Sequence, residues 1–367
     1  MKRNTFTVST GIIGCALLMG VMTACKKEEP ETLPVPVPAP TPYTLETAGF
    51  PNPGIPEDNM LTNEGVRLGR FLFYEPMLSL DGSISCASCH KQEDAFTDIN
   101  QFSIGVQGLP GHRQAMAIFN MAWNDNGFFW DGRADLLRHQ ALLPIEDPLE
   151  MDETLDNVVQ KLANSATYPE MFNRAFGSET ITSERISLAL EQFMNSIVSN
   201  RSKYDQYLQG QVELTEQEER GRYLFFTEFN PGFPELSGAD CQHCHGGINF
   251  ENDAYMNNGL DADADFEDLG REVVTGNPND RAKFKVTSLR NIELTPPYMH
   301  DGRFNTLEEV VDHYNLVIPS STLDPSFQQQ LPNGLQLSAE DKAALVAFLK
   351  TLTDYELQVD PRYSSPF

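Results

Sequence analysis

Four cysteines carry the clearest chemistry in this 367-residue chain. They form two pairs, each Cys-x-x-Cys and each followed at once by histidine: Cys86-Ala87-Ser88-Cys89-His90 and Cys241-Gln242-His243-Cys244-His245. Two thiols at this spacing reach the two vinyl groups of one haem, and the histidine that follows swings under the iron as proximal ligand. Attachment and ligation are thus encoded in five residues, and encoded twice. Zinc is the rival reading, since two Cys-x-x-Cys knuckles could close one tetrahedral site. A separation of roughly 150 residues, with a histidine in the same place after both pairs, favours two covalently bound c-type haems.

The segments that must position these motifs repeat as well. Gly69-Arg70-Phe71-Leu72-Phe73 precedes the first motif as Gly221-Arg222-Tyr223-Leu224-Phe225 precedes the second, and Asp131-Gly132-Arg133 follows the first as Asp301-Gly302-Arg303 follows the second. Most other signals are helical. Thr215 with Glu218 makes a capping box opening a helix into Phe225, and Ser338 is a candidate cap for a last helix striped by Leu345, Phe348, Leu349 and Leu352. Ile186, Leu190, Phe193 and Ile197 recur at helical spacing, and strand alternation is scarce. The expectation is an all-α protein with two cytochrome c-like haem domains and long loops over the haems. The domains fall at 49–205 and 206–367, with the polar segment 200–213 as a hinge.

Composition bounds the partners. Fifty-three acidic against 26 basic residues give a formal charge of -27, which argues against nucleic acid, because phosphate binding needs a basic footprint. Lys2 and Arg3 followed by the apolar run 11–22 read as an export signal too short to span a bilayer, ending in Met22-Thr23-Ala24-Cys25. That ending resembles a lipoprotein box, so residues 1–25 form a lipoprotein-type signal and Cys25 a lipidated membrane anchor; an ordinary signal peptide with an incidental cysteine is the alternative. Residues 26–48, rich in Pro and Glu, read as a stiff tether. The expected location is the periplasm or cell envelope, and a homodimer is left open.

From about residue 51 to about 352 the chain resembles the bacterial dihaem cytochrome c peroxidase and MauG family. The likeness begins at Leu78-Ser79-Leu80-Asp81-Gly82-Ser83-Ile84-Ser85, running into Cys86, and continues in Phe128-Phe129-Trp130-Asp131-Gly132-Arg133 with Gln140, Pro144 and Glu150 at the family's intervals. The resemblance implies that Trp130 relays electrons between the haems and that Gln140, Pro144 and Glu150 line the distal side of the first, where hydrogen peroxide binds. Glu150 is the expected acid and base, since breaking the O–O bond requires a proton to pass from the near oxygen to the leaving one. It further implies a small cytochrome or similar electron donor.

Two positions depart from the peroxidase pattern. Ser103-Ile104-Gly105 leads to Val106 where a distal histidine is usual, which leaves the first haem's sixth position open unless His112 substitutes. Near the second haem, Tyr314 stands at the place of the usual methionine ligand, as in MauG; His313 and Met299 are competing ligands. The family also binds calcium between domains through an Asn side chain and Thr and Pro carbonyls. Here Thr295 and Pro297 match, and Gln114 stands where Asn is usual; its longer amide can still offer an oxygen.

Overall fold

Helix boundaries follow the caps written in the sequence. In the computed structural model, which describes residues 7, 9–11 and 38–367, the helix Glu216–Phe226 opens on a reciprocal capping box between Thr215 and Glu218. Ser338 caps the helix Ala339–Lys350 by accepting from the Asp341 amide at 3.0 Å, and Thr182 and Thr62 cap Ser183–Ser196 and Asn63–Phe73 in the same way. Regular strand is limited, among the described residues, to the two-residue pair Tyr255–Met256 and Phe284–Lys285. Most of the expected signal segment 1–25, Cys25 included, and residues 26–37 of the expected tether lie outside the described residues; no helix among those described is long and apolar enough to cross a membrane.

The repeat in sequence is a repeat in packing. The helix Asn63–Phe73 crosses Ser183–Ser196 at Gly69, and Glu216–Phe226 crosses Ala339–Lys350 at Gly221. A Cβ at Gly69 would stand 1.9 Å from the Ala189 carbonyl oxygen, and one at Gly221 would stand 1.9 Å from that of Ala344. Beside these crossings Phe73 meets Phe193 at 5.3 Å between ring centroids and Phe225 meets Phe348 at 5.2 Å. Each of these fully buried aromatic side chains contributes on the order of 1.5–3 kcal/mol of burial free energy. Two apolar cores result, one around Phe73, Phe172 and Phe193 with Cys86 packed against it, the other around Phe225, Phe348 and Leu352 with Cys241 packed against it.

Two segments depart from the expected division at residue 205. Instead of a loose hinge, residues 200–213 contain the capped helix Lys203–Leu208, whose buried Asp205 pairs bidentately with Arg290 at 2.8 Å to both oxygens. The C-terminal segment, expected within the second domain at 206–367, crosses back to the first core. There Leu357 and Tyr363 are buried, Gln92 donates to the carbonyls of Leu357 and Asp360 at 2.9 Å each, and Tyr74 donates to that of Tyr363 at 2.8 Å.

Candidate functional site

Each motif histidine is held by backbone carbonyls. The Nδ1 of His90 lies 3.0 Å from the Phe96 carbonyl, and that of His245 lies 3.2 Å from the carbonyls of both Phe250 and Thr287. A carbonyl can only accept, so Nδ1 carries the ring proton and Nε2 is left as a bare donor of electrons. Phe96 and Phe250 turn their carbonyls inward from left-handed backbone, with φ of 61° and 54°. Burial depresses both imidazoles, that of His245 to about 4, so each ring is the neutral ligand that iron requires. No disulfide pairs any of the four motif cysteines, which leaves both sulfurs of each pair for haem attachment. The two pairs belong to different cores and cannot close one zinc site. The residues fit two separately attached haems.

A cavity of about 270 Å³ surrounds the second motif and is lined by Cys241, Cys244, His245 and Tyr314. Burial pushes the Tyr314 phenol up to about 12, opposed by a hydrogen bond from Asn258 Nδ2 at 3.1 Å. Met299 also lines this cavity. His313 is outside the lining and spends its Nε2–H on the Asn258 carbonyl at 3.1 Å, which takes that nitrogen away from metal binding. Trp130, Gln114, Thr295 and Pro297 also line this cavity. The Trp130 indole donates to the Gln114 carbonyl at 2.8 Å, which orients its ring, and its backbone carbonyl accepts from the Lys285 amide of the second repeat at 2.7 Å. Gln114 donates from its side-chain nitrogen to Thr97 Oγ1 and the Asp98 carbonyl, both at 3.0 Å, and its amide oxygen accepts nothing among the described residues.

Around the first motif, Glu150 is half-buried and close enough to Cys86 and Cys89 to disfavour their thiolates. Its carboxyl is raised to about 7, chiefly by burial and secondarily by Asp147, with Arg133 opposing. Pro144 belongs to the same closed turn, its carbonyl accepting from the Met151 amide at 3.1 Å; Gln140 ends the helical turn Leu137–Gln140 before it and is half-buried. The loop with the Val106 departure docks on this wall: the Val106 amide donates to the Glu150 carbonyl at 2.7 Å, and Ser103 contacts Cys89. A Cβ on Gly105 would lie 2.1 Å from the Leu149 carbonyl oxygen, so only glycine lets the loop approach so closely. His112 lies beyond the hairpin closed between Ile104 and Pro110 and is exposed.

The profile of the family described as di-haem cytochrome c peroxidase matches residues 63–213. Over 303 residues the chain is 35% identical to the methylamine utilization protein MauG of Methylorubrum extorquens, covering 81% of this chain and 80% of that one. It is 36% identical to the cytochrome c551 peroxidase of Nitrosomonas europaea, covering 80% and 82%. This chain belongs to the di-haem cytochrome c peroxidase family. Among solved structures, a MauG-like protein associated with microbial copper homeostasis superposes with a TM-score of 0.76 at 35% identity, over 92% of this chain and 99% of that one.

As a di-haem cytochrome c peroxidase family member the chain carries two covalently bound c-type haems and is an oxidoreductase of the peroxidase type. Membership gives a frame for residues that sequence reasoning passed over. His300 occupies the place in the second Asp-Gly-Arg turn that Trp130 occupies in the first; both turns close through matching bridges, Phe128 to Ala134 and Tyr298 to Phe304. It stacks on Phe284 at 3.6 Å, inside the second cavity. The repeat written around Asp-Gly-Arg held that signal. Glu251 also lines the cavity, its carboxyl raised to about 8 by burial and by Asp253. Nothing in its local sequence marks it, and nothing marks Asn258 either.

Proposed function

We propose that this protein reduces hydrogen peroxide to water at the first haem (Cys86, Cys89, His90), with electrons from a small cytochrome or similar donor entering at the second (Cys241, Cys244, His245, Tyr314). The observation that carries this reading is Glu150, a carboxyl beside the first attachment motif that accepts no hydrogen bond among the described residues and is poised near neutrality. The bound haems supply the iron and the electrons for breaking the O–O bond. Glu150 takes the proton from one peroxide oxygen and returns it to the other, a role for which a carboxyl near the working pH is suited. Pro144 and Gln140 frame the same wall, and Trp130 gives electrons an aromatic step between the repeats. Glu150→Gln keeps the shape and removes the titration. Steady-state peroxide consumption should fall about 10²–10⁴-fold with both haem spectra unchanged; activity equal to the parent would falsify the assignment.

Val106 offers no ligand atom, which supports a first haem open to peroxide without prior reduction. Electron paramagnetic resonance of the oxidised protein is then expected to show one high-spin and one low-spin haem. Two low-spin haems that reduction leaves unopened would overturn the peroxidase reading.

A second reading, MauG-like oxidation of a protein or other organic substrate, is favoured by the tyrosine at the second cavity, since tyrosine ligation holds iron ferric where methionine would raise its potential. Stopped-flow mixing separates the two. Slow decay of the peroxide-oxidised protein supports this reading, and rapid turnover with reduced cytochrome supports the first.

The amide oxygen of Gln114, in a cavity that Thr295 and Pro297 also line, suits a calcium ion held by that oxygen and the two carbonyls. Attachment through a lipidated Cys25 in the periplasm or cell envelope, and homodimerisation, complete the proposal; membrane fractionation of Cys25→Ser and light scattering test them.

A further inference from the structure

We propose that Asn258 is the positioning residue that selects Tyr314 over Met299 as the protein's sixth donor to the second haem, an inference that rests on the reading of Tyr314 as that haem's ligand. The Asn258 side-chain nitrogen has two hydrogens and two acceptors: the Tyr314 phenol oxygen at 3.1 Å and the Met299 sulfur at 3.4 Å. All three residues line the cavity that contains Cys241, Cys244 and His245. Two candidate donors to one iron are therefore neighbours, bonded to the same amide.

The amide treats them unequally. A thioether is a neutral, weak acceptor, and an N–H directed at its sulfur draws density from a donor that gains no charge stabilisation in return. A phenolate oxygen is an anionic, strong acceptor, and a donor stabilises that charged form while further lone pairs stay available to a metal. The same group thus restrains the sulfur and supports the oxygen. The third candidate is held off from the same position, because the Asn258 carbonyl accepts the Nε2–H of His313.

Asn258 is rigidly placed. Its neighbour Asn257 is buried and donates to Ser320 Oγ at 3.1 Å and Thr322 Oγ1 at 2.9 Å, while the Asn257 carbonyl accepts from the Asp324 amide at 3.0 Å. On the other side Gly259 has φ of +72°, and a Cβ there would lie 2.9 Å from the Ile318 carbonyl oxygen. A glycine is required to turn the chain there, and the turn aims the Asn258 amide.

The test uses holoprotein variants, with charge-transfer bands, electron paramagnetic resonance and the midpoint potential of the second haem as readouts. Asn258→Leu, similar in size and without a donor, should convert second-haem signal from tyrosinate to thioether ligation and raise that haem's midpoint, leaving the first haem unchanged. Adding Met299→Leu should abolish the thioether signature. If Asn258→Leu keeps the parent spectrum and potential while Tyr314→Phe alters both, the role of Asn258 is refuted and the tyrosine reading stands. If Tyr314→Phe itself matches the parent, both fall. Should the leucine variant fail to incorporate haem, Asn258→Ala, which cannot clash, is read in the same way.

Discussion

Burial and the neighbouring Asp147 lift the Glu150 carboxyl from an ordinary 4.5 to about 7, and two consequences differ in sign. Between those values the native protein keeps a proton that the unfolded chain releases. This carboxyl's contribution to stability is therefore fully present below about 4.5 and is lost as pH rises towards 7. Activity that uses the ionised form rises over the upper part of the same range. The expected pH profile of peroxide turnover inflects near 7, and Glu150→Gln should remove the inflection and flatten the melting temperature across the window. An inflection that survives the substitution would assign the titration to another group, with Glu251, raised to about 8, the nearest in value. The interval from Trp130, which matches the family pattern, is what picks Glu150 out in the sequence. Its altered proton affinity is not legible there, because burial sets it first, with Asp147 raising it and Arg133 opposing, and burial exists only in the folded chain.

At the scale of elements, the paired helix crossings explain why the repeat begins with glycine. With Ala189 and Ala344 carbonyl oxygens 1.9 Å from where a Cβ would stand, Gly69→Ala and Gly221→Ala must each force two helices apart. Each should lower stability by about 1–3 kcal/mol, read as a fall in thermal midpoint, and the two should fall by similar amounts because the crossings match. An unchanged midpoint in either would show that the crossing can relax. The caps at Thr215 and Ser338 were legible because a cap involves residues only three apart. The partner helices carry a second repeat that sequence reading missed: Ala189-Leu190-Glu191-Gln192-Phe193 against Ala344-Leu345-Val346-Ala347-Phe348. Its meaning lies in facing Gly69 and Gly221 across the crossings, and the chain alone does not disclose which helices face.

For the whole molecule, the C-terminal segment ties the end of the second repeat to the proximal loop of the first haem. Gln92, two residues after His90, is held by the Leu357 and Asp360 carbonyls, and Phe96, whose carbonyl orients the His90 ring, packs edge-on against Tyr363. Removal of residues 356–367 is expected to perturb the spectrum of the first haem and spare that of the second. Equal perturbation of both, or of neither, would refute this coupling. The Arg290–Asp205 pair is nearly inaccessible on the arginine side, and Arg290→Met, which strands a buried carboxylate, should cost about 3–5 kcal/mol in stability. Chemical denaturation of the holoprotein checks it. At 200–213 a polar stretch reads as loose until its buried partner, 85 residues away, is known.

The sequence by itself determined the two haem attachments, the duplication, the helical class and most of the caps, because each depends on residues a few positions apart whose chemistry travels with them. Only the tertiary structure decided which ring nitrogen of His90 and His245 is bare, that Glu150 faces the first pair of cysteines, that Trp130 and Tyr314 share a cavity, and that one asparagine holds both Tyr314 and Met299. Those facts rest on carbonyl directions, desolvation and contacts between segments far apart in the chain. Residue order constrains such features only through the completed fold.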